Sequence, residues 1–162
     1  MTDILRLTLA ILLLTITLAA YFLVIGALFT NRVARTQTSL NLTPGRAFGL
    51  GMVNFFFFGL IAFVMLSLAE NAGPFIKGIL TIPALLILAF LSVLLSLGLT
   101  ATVQLLAERL FPDMSAWKRN LWSSVILCIA CALPFVGWFL LLPYIAFTGI
   151  GATILGFLQR NS

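Results

Sequence analysis

Cys128 and Cys131 are the only cysteines of the chain, and their CxxC spacing is the pattern that elsewhere supports dithiol redox chemistry or part of a metal site. Residues three apart share one face of a helix, but a metal needs further ligands, and dithiol chemistry needs an accessible helix N-terminus. The pair lies inside an apolar run instead. It reads as two small apolar side chains in a packed helix, and it excludes a disulfide framework of the secreted kind. Histidine is absent, which removes the usual ligand of haem and transition metals and the usual general base near neutral pH. The four carboxylates, Asp3, Glu70, Glu108 and Asp113, fall at helix ends or in loops. Ion-coupled transport generally needs such a group buried among the helices. No nucleophile can be paired with a base, so no enzymatic activity, catalytic residue or metal site is expected. No cofactor is required, and a bound lipid, quinone or pigment stays open.

One polar constellation remains. Ser92, Ser96, Thr100, Gln104 and Glu108 recur at intervals of four in an otherwise apolar helix. Four residues exceed one turn, so the line winds slowly around the helix. Small hydroxyl residues in such a setting hydrogen-bond to a neighbouring helix or back onto their own backbone, which is the preferred reading. A water-filled pathway is the alternative. Asn54, in the middle of another apolar helix, is expected to bond to a neighbouring helix or to hold a pigment or polar cofactor.

These residues need elements to position them, and the composition says what kind. Of the 162 residues, 62% are hydrophobic and 8% charged, against about 25% charged in soluble domains. Apolar segments of about 20 residues span a bilayer core as helices, and several occur here. In lipid the backbone must pair within the protein, which permits helices or closed barrels. Runs such as Ala10 to Leu14 and Phe55 to Phe58 lack the alternation of barrel strands. The expected fold is therefore all-α, a single membrane domain over 1–162. Its four to five transmembrane helices cover about 4–30, 44–70, 75–110, 117–133 and 136–158.

The boundaries derive from caps and breakers. The first apolar run, Leu7 to Phe29, exceeds the roughly 7 to 15 residues of a signal-peptide core and reads as a retained span. The polar residues from Asn31 to Asn41 read as a surface loop. Thr43, Pro44 and Gly45 then supply an N-cap with proline at the first helical position. Asn71 to Pro74 stop that helix. The next, Phe75 to Leu110, is too long for one perpendicular span, so it tilts, kinks near Pro83 or projects into water. Pro134 and Gly137 predict a turn between the last two helices, which form a short or re-entrant hairpin.

Net charge is +5, with the basic residues scattered, which weighs against nucleic acid and favours a modest affinity for anionic lipid headgroups. Lys and Arg collect on the cytoplasmic side of membrane proteins. Placing the first and third loops and the C-terminus there gathers Arg32, Arg35, Arg46, Arg109, Lys118, Arg119 and Arg160, seven of nine, and leaves Arg6 and Lys77 outside. The expected location is the bacterial cytoplasmic membrane, with an outside N-terminus and an inside C-terminus. Trp117, Lys118 and Arg119 form the clearest interfacial anchor. Asn41, Leu42 and Thr43 match a glycosylation pattern, against which the cytoplasmic side and Pro44 both argue.

Packing features outnumber chemical ones. Gly45 and Gly49 form a GxxxG, with Gly51 close by, and Gly149, Gly151, Ala152 and Gly156 notch the last helix for close backbone contact. Phe55, Phe56, Phe57 and Phe58 cover every side of a helical turn, so some rings must face lipid, another subunit or a lipid-like cofactor.

The segments Pro44-Gly45-Arg46-Ala47-Phe48-Gly49-Leu50-Gly51, Ile82-Pro83, Pro134-Phe135-Val136-Gly137-Trp138 and Gly149-Ile150-Gly151-Ala152 carry a resemblance. Over about Arg35 to the C-terminus the chain resembles a polytopic membrane domain of membrane-bound relatives of bactofilins, the polymer-forming bacterial cytoskeletal proteins. It has no counterpart of their repetitive β-rich region, so polymer formation is not carried over. The resemblance implies a bacterial membrane module without an assigned reaction.

Residues and resemblance together lead to the expectation of a structural or accessory subunit. Its partners would be membrane lipids and the other subunits of a larger membrane assembly, for which an energy-transducing complex is one option. The alternatives are a small transporter or channel using the polar line, and a self-associating membrane scaffold.

Overall fold

In the computed structural model, which describes residues 2–132 and 135–158, the longest hairpin turns where the strongest helix breakers stand. Pro44 opens α3 (Pro44–Glu70) and Pro74 opens α4 (Pro74–Leu110). Both occupy the first turn, where an N–H would have no helical acceptor. Asn71, Ala72 and Gly73 connect the two helices. α4 continues unbroken through Pro83, and its 37 residues reach about 55 Å at 1.5 Å per residue, well beyond a bilayer core of about 30 Å.

The first apolar helix, α1 (Thr2–Leu28), ends one residue before Phe29. The polar stretch beyond it is not the expected surface loop, because Thr30–Leu42 form a helix, α2. The reason is a buried face with helical spacing made of Val33, Thr36, Ser39 and Leu40. Thr36 can be buried because its hydroxyl donates to the Arg32 carbonyl at 2.9 Å. Thr43 does stand before α3, but its hydroxyl makes no cap; it turns back toward the Ser39 carbonyl of α2 at 3.4 Å.

After α5 (Ala116–Ala132) the chain turns at Phe135, whose φ of 69° is left-handed. Val136–Leu141 then form a π-helix, and α6 (Leu142–Leu158) completes the fold. Pro134 and Arg160 lie outside the described residues, as do the side chains of Asp3, Cys131 and Trp138.

α6 is the central helix, packed against α2, α3 and α4. Two cores hold the bundle. Val33, Leu40, Ala47, Leu97, Ala101 and Ala152 join α2, α3, α4 and α6. Phe22, Val103, Leu127 and Ile145 join α1, α4, α5 and α6. Three of the six residues of the first core are alanines, so the backbones approach closely, as van der Waals packing in lipid favours. Among the described residues four helical segments are long and apolar enough to cross a membrane: Thr8–Leu28, Pro44–Glu70, Pro74–Leu110 and Phe139–Leu158. The protein is thus an all-α, multi-pass membrane protein. α5, with 17 residues, is the shorter apolar helix beside those four.

Candidate functional site

The polar line of α4 becomes a seam against α1 and α2. Ser92, at its exposed start, donates to the Leu88 carbonyl of its own helix at 2.8 Å. Ser96 Oγ and Tyr21 Oη of α1 are 2.6 Å apart. Thr100 is fully buried and donates to the Ser96 carbonyl at 2.8 Å. Gln104 lies against Gly26 of α1, where an added Cβ would stand 2.6 Å from Nε2. Glu108 accepts from Gln37 Nε2 of α2 at 2.6 Å, and on the next residue Arg109 Nη2 donates to Asn41 Oδ1 at 2.6 Å. The line therefore fastens the α1–α2 corner to α4, and its two hydroxyls at 92 and 100 turn to their own backbone.

Glycine decides where α6 meets its neighbours. A Cβ at Gly51 of α3 would overlap the Phe147 carbonyl, and one at Gly151 would overlap the Ala47 carbonyl. Gly149 meets Gly98 of α4, with built Cβ distances of 3.0 Å to its backbone, and Gly156 meets Arg35 and Thr36 of α2 at 3.4 to 3.5 Å. The expected single notched face is in fact two, since Gly149 and Gly151 point about 200° apart around the helix. Ala152 is buried in the first core. Gly98 belongs to no glycine motif of the sequence, although a glycine inside a helix costs about 1 kcal/mol relative to alanine and so hints at a close approach. Gly45 and Gly49 differ: among the described residues nothing lies within 4 Å of a Cβ at either, so this GxxxG leaves open space beside it.

Those two glycines belong to an outward stripe. Gly45, Gly49, Val53, Phe56, Leu60 and Phe63 run in steps of four and three, the spacing of a helix-packing seam. Exposure runs from 62% at Val53 and Phe56 through 65% at Leu60 to 69% at Phe63. Ala47, Gly51, Ala62 and Ala69, the buried residues of α3, lie on the opposite side. The phenylalanine run divides accordingly. Phe55 packs on Phe147 of α6 with ring centroids 5.4 Å apart, and Phe58 on Phe90 of α4 at 6.4 Å. Phe56 and Phe57 point outward, although Phe56 reaches the edge of Phe147 at 5.9 Å.

No family model, curated protein or solved structure matches this chain. What it offers a partner or a ligand is therefore read from its own surfaces.

Among the described residues no three of His, Cys, Asp and Glu come together as a metal site. Cys128 is half-buried on α5. Asn54 makes no hydrogen bond to a neighbouring helix among the described residues; its amide donates to the Leu50 carbonyl one turn back at 2.8 Å. At the start of α5, Lys118 Nζ sits 5.6 Å from the centre of the exposed Trp117 ring. Arg119 turns inward, where its Nε and the Oγ of fully buried Ser123 have no hydrogen-bond partner among the described residues.

Proposed function

We propose that the protein is a structural or accessory subunit of a larger membrane assembly, docking through the outward stripe of α3. The observation that supports it is the meeting of the open Gly45–Gly49 notch and the protruding Val53, Phe56, Leu60 and Phe63 on one face, at seam spacing. A notch admits a partner backbone to close range, and the aromatic ridge beside it supplies van der Waals area. The inner glycines are engaged by α6 and α4, so this second set is free for another chain. The polar seam fits the same reading, because its groups tie helices together. We place the protein in a bacterial cytoplasmic membrane with the N-terminus outside, on the distribution of Lys and Arg, and the likeness to the bactofilin-associated membrane domain accords with that setting.

The test is isolation of the native complex in mild detergent, with cross-linking from a photoreactive residue at Val53. A different membrane protein attached at that position is the expected result. A lone monomer without adducts would overturn the proposal, and adducts with the same chain alone would replace it by a self-associating scaffold.

A further inference from the structure

A cleft runs along the outside of the bundle where α1 gives way to α2, and its two ends differ in chemistry. The polar end, about 250 Å³, is bordered by Asn31, Arg32, Arg35 and Gly156. The apolar end, about 320 Å³, is bordered by Ile25, Phe29, Val93 and Leu97, with Tyr21 and Ser96 on its floor. Arg32 and Phe157 line both, so the two ends are continuous. The Arg32 guanidinium stacks 4.7 Å from the centre of the Phe157 ring, a contact that holds the plane while leaving its N–H edge available. Among the described residues neither Arg32 nor Arg35 has an acidic partner, and Glu108 of α4 accepts from Gln37 instead.

We propose that this cleft is a binding site for one anionic phospholipid. The location supports an amphiphile, because the apolar run of α1 ends at Phe29 and the polar helix α2 begins at Thr30, the change expected at a headgroup level. Two uncompensated guanidinium groups fit a phosphate diester and disfavour a headgroup that brings its own cation. One of its two acyl chains lies along Ile25, Phe29, Val93 and Leu97. Within the apolar end, Tyr21 and Ser96 share one hydrogen bond between two hydroxyls, which leaves one O–H to donate to the ester carbonyl of the lipid. A small anion would occupy the polar end alone and leave the apolar groove without an occupant.

The experiment is native mass spectrometry of the full chain after exchange into detergent micelles containing phosphatidylglycerol or phosphatidylcholine. One retained phosphatidylglycerol per chain is expected, with phosphatidylcholine held about tenfold or more weakly. The Arg32→Gln, Arg35→Gln double variant should bind phosphatidylglycerol about tenfold or more weakly. An Arg46→Gln, Lys118→Gln double variant removes the same charge away from the cleft and should retain the lipid. Val93→Trp adds bulk at an exposed position of the groove and should lower retention with charge and thermal unfolding unchanged. Equal retention of the two lipids, equal losses in the two double variants, or full displacement by millimolar glycerol phosphate would each overturn the proposal; the last would point to a free-anion site.

Discussion

Gly51 and Gly151 face each other so closely that a methyl group on either would run into the backbone of the opposite helix. Exchange of Gly151 for alanine forces α3 and α6 apart, and overpacking of this kind costs about 1–3 kcal/mol, with more where backbone is the obstacle. We expect Gly151→Ala to lower the thermal midpoint in detergent clearly. Gly45→Ala meets open space and exchanges a poor helix former for the best one, so the midpoint should hold or rise slightly. Equal behaviour of the two variants would contradict the close contact.

The contrast between these glycines shows how far residue spacing can be read. The α3–α4 turn is visible in the sequence because Asn71, Gly73 and Pro74 break helices for local reasons, and the apolar lengths require helices for solvent reasons. Which glycines touch is a tertiary fact: Gly45 and Gly49 have the motif, while Gly51, Gly98 and Gly149 have the contact. The interval of four in α4 is likewise visible, but the identity of its partners, Tyr21 and Gln37, depends on how the α1–α2 corner folds back. α2 is hidden because half of its buried face is hydroxyl-bearing, and composition alone reads Thr36 and Ser39 as loop.

That hidden helix can be tested at Thr38, an exposed position in its middle whose hydroxyl donates to the Ala34 carbonyl at 3.0 Å. Proline there removes a helical hydrogen bond and clashes with the preceding turn, at a cost of about 3 kcal/mol. Thr38→Ala keeps the helix and should be neutral or slightly stabilising. We therefore expect Thr38→Pro to be much less stable to heat and to proteolysis than Thr38→Ala. A flexible surface loop would absorb both changes alike.

The Tyr21–Ser96 hydrogen bond is the point where the seam first leaves α4, and its contribution is measurable. Hydrogen bonds between transmembrane helices average about 0.6 kcal/mol in double-mutant cycles. Tyr21→Phe and Ser96→Ala should each cost on that order, and the double variant should cost less than the sum of the two. A strictly additive double variant would mean that the hydroxyls do not cooperate in holding α1 to α4. The same substitutions bear on transport: replacing Ser96, Thr100 and Gln104 together by alanine should leave liposome flux at the level of empty vesicles, as before replacement.

The outward stripe of α3 separates stability of the chain from assembly with another. Phe56 and Phe63 are exposed beyond 60%, so in detergent or lipid their outer surfaces exchange one apolar environment for another when a partner leaves. Phe63→Ala should therefore change unfolding of the isolated protein by less than about 1 kcal/mol. Leu94, by contrast, is 2% exposed among α4 and its neighbours, and its replacement by alanine should cost about 2–5 kcal/mol through the cavity left behind. Gly49→Leu fills the open notch from a position whose Cβ would meet no neighbouring helix within 4 Å among the described residues. Its expected signature is an unchanged melting curve together with loss of the co-isolated subunit in mild detergent. If Gly49→Leu instead left the assembly intact, docking would have to use another face of the bundle.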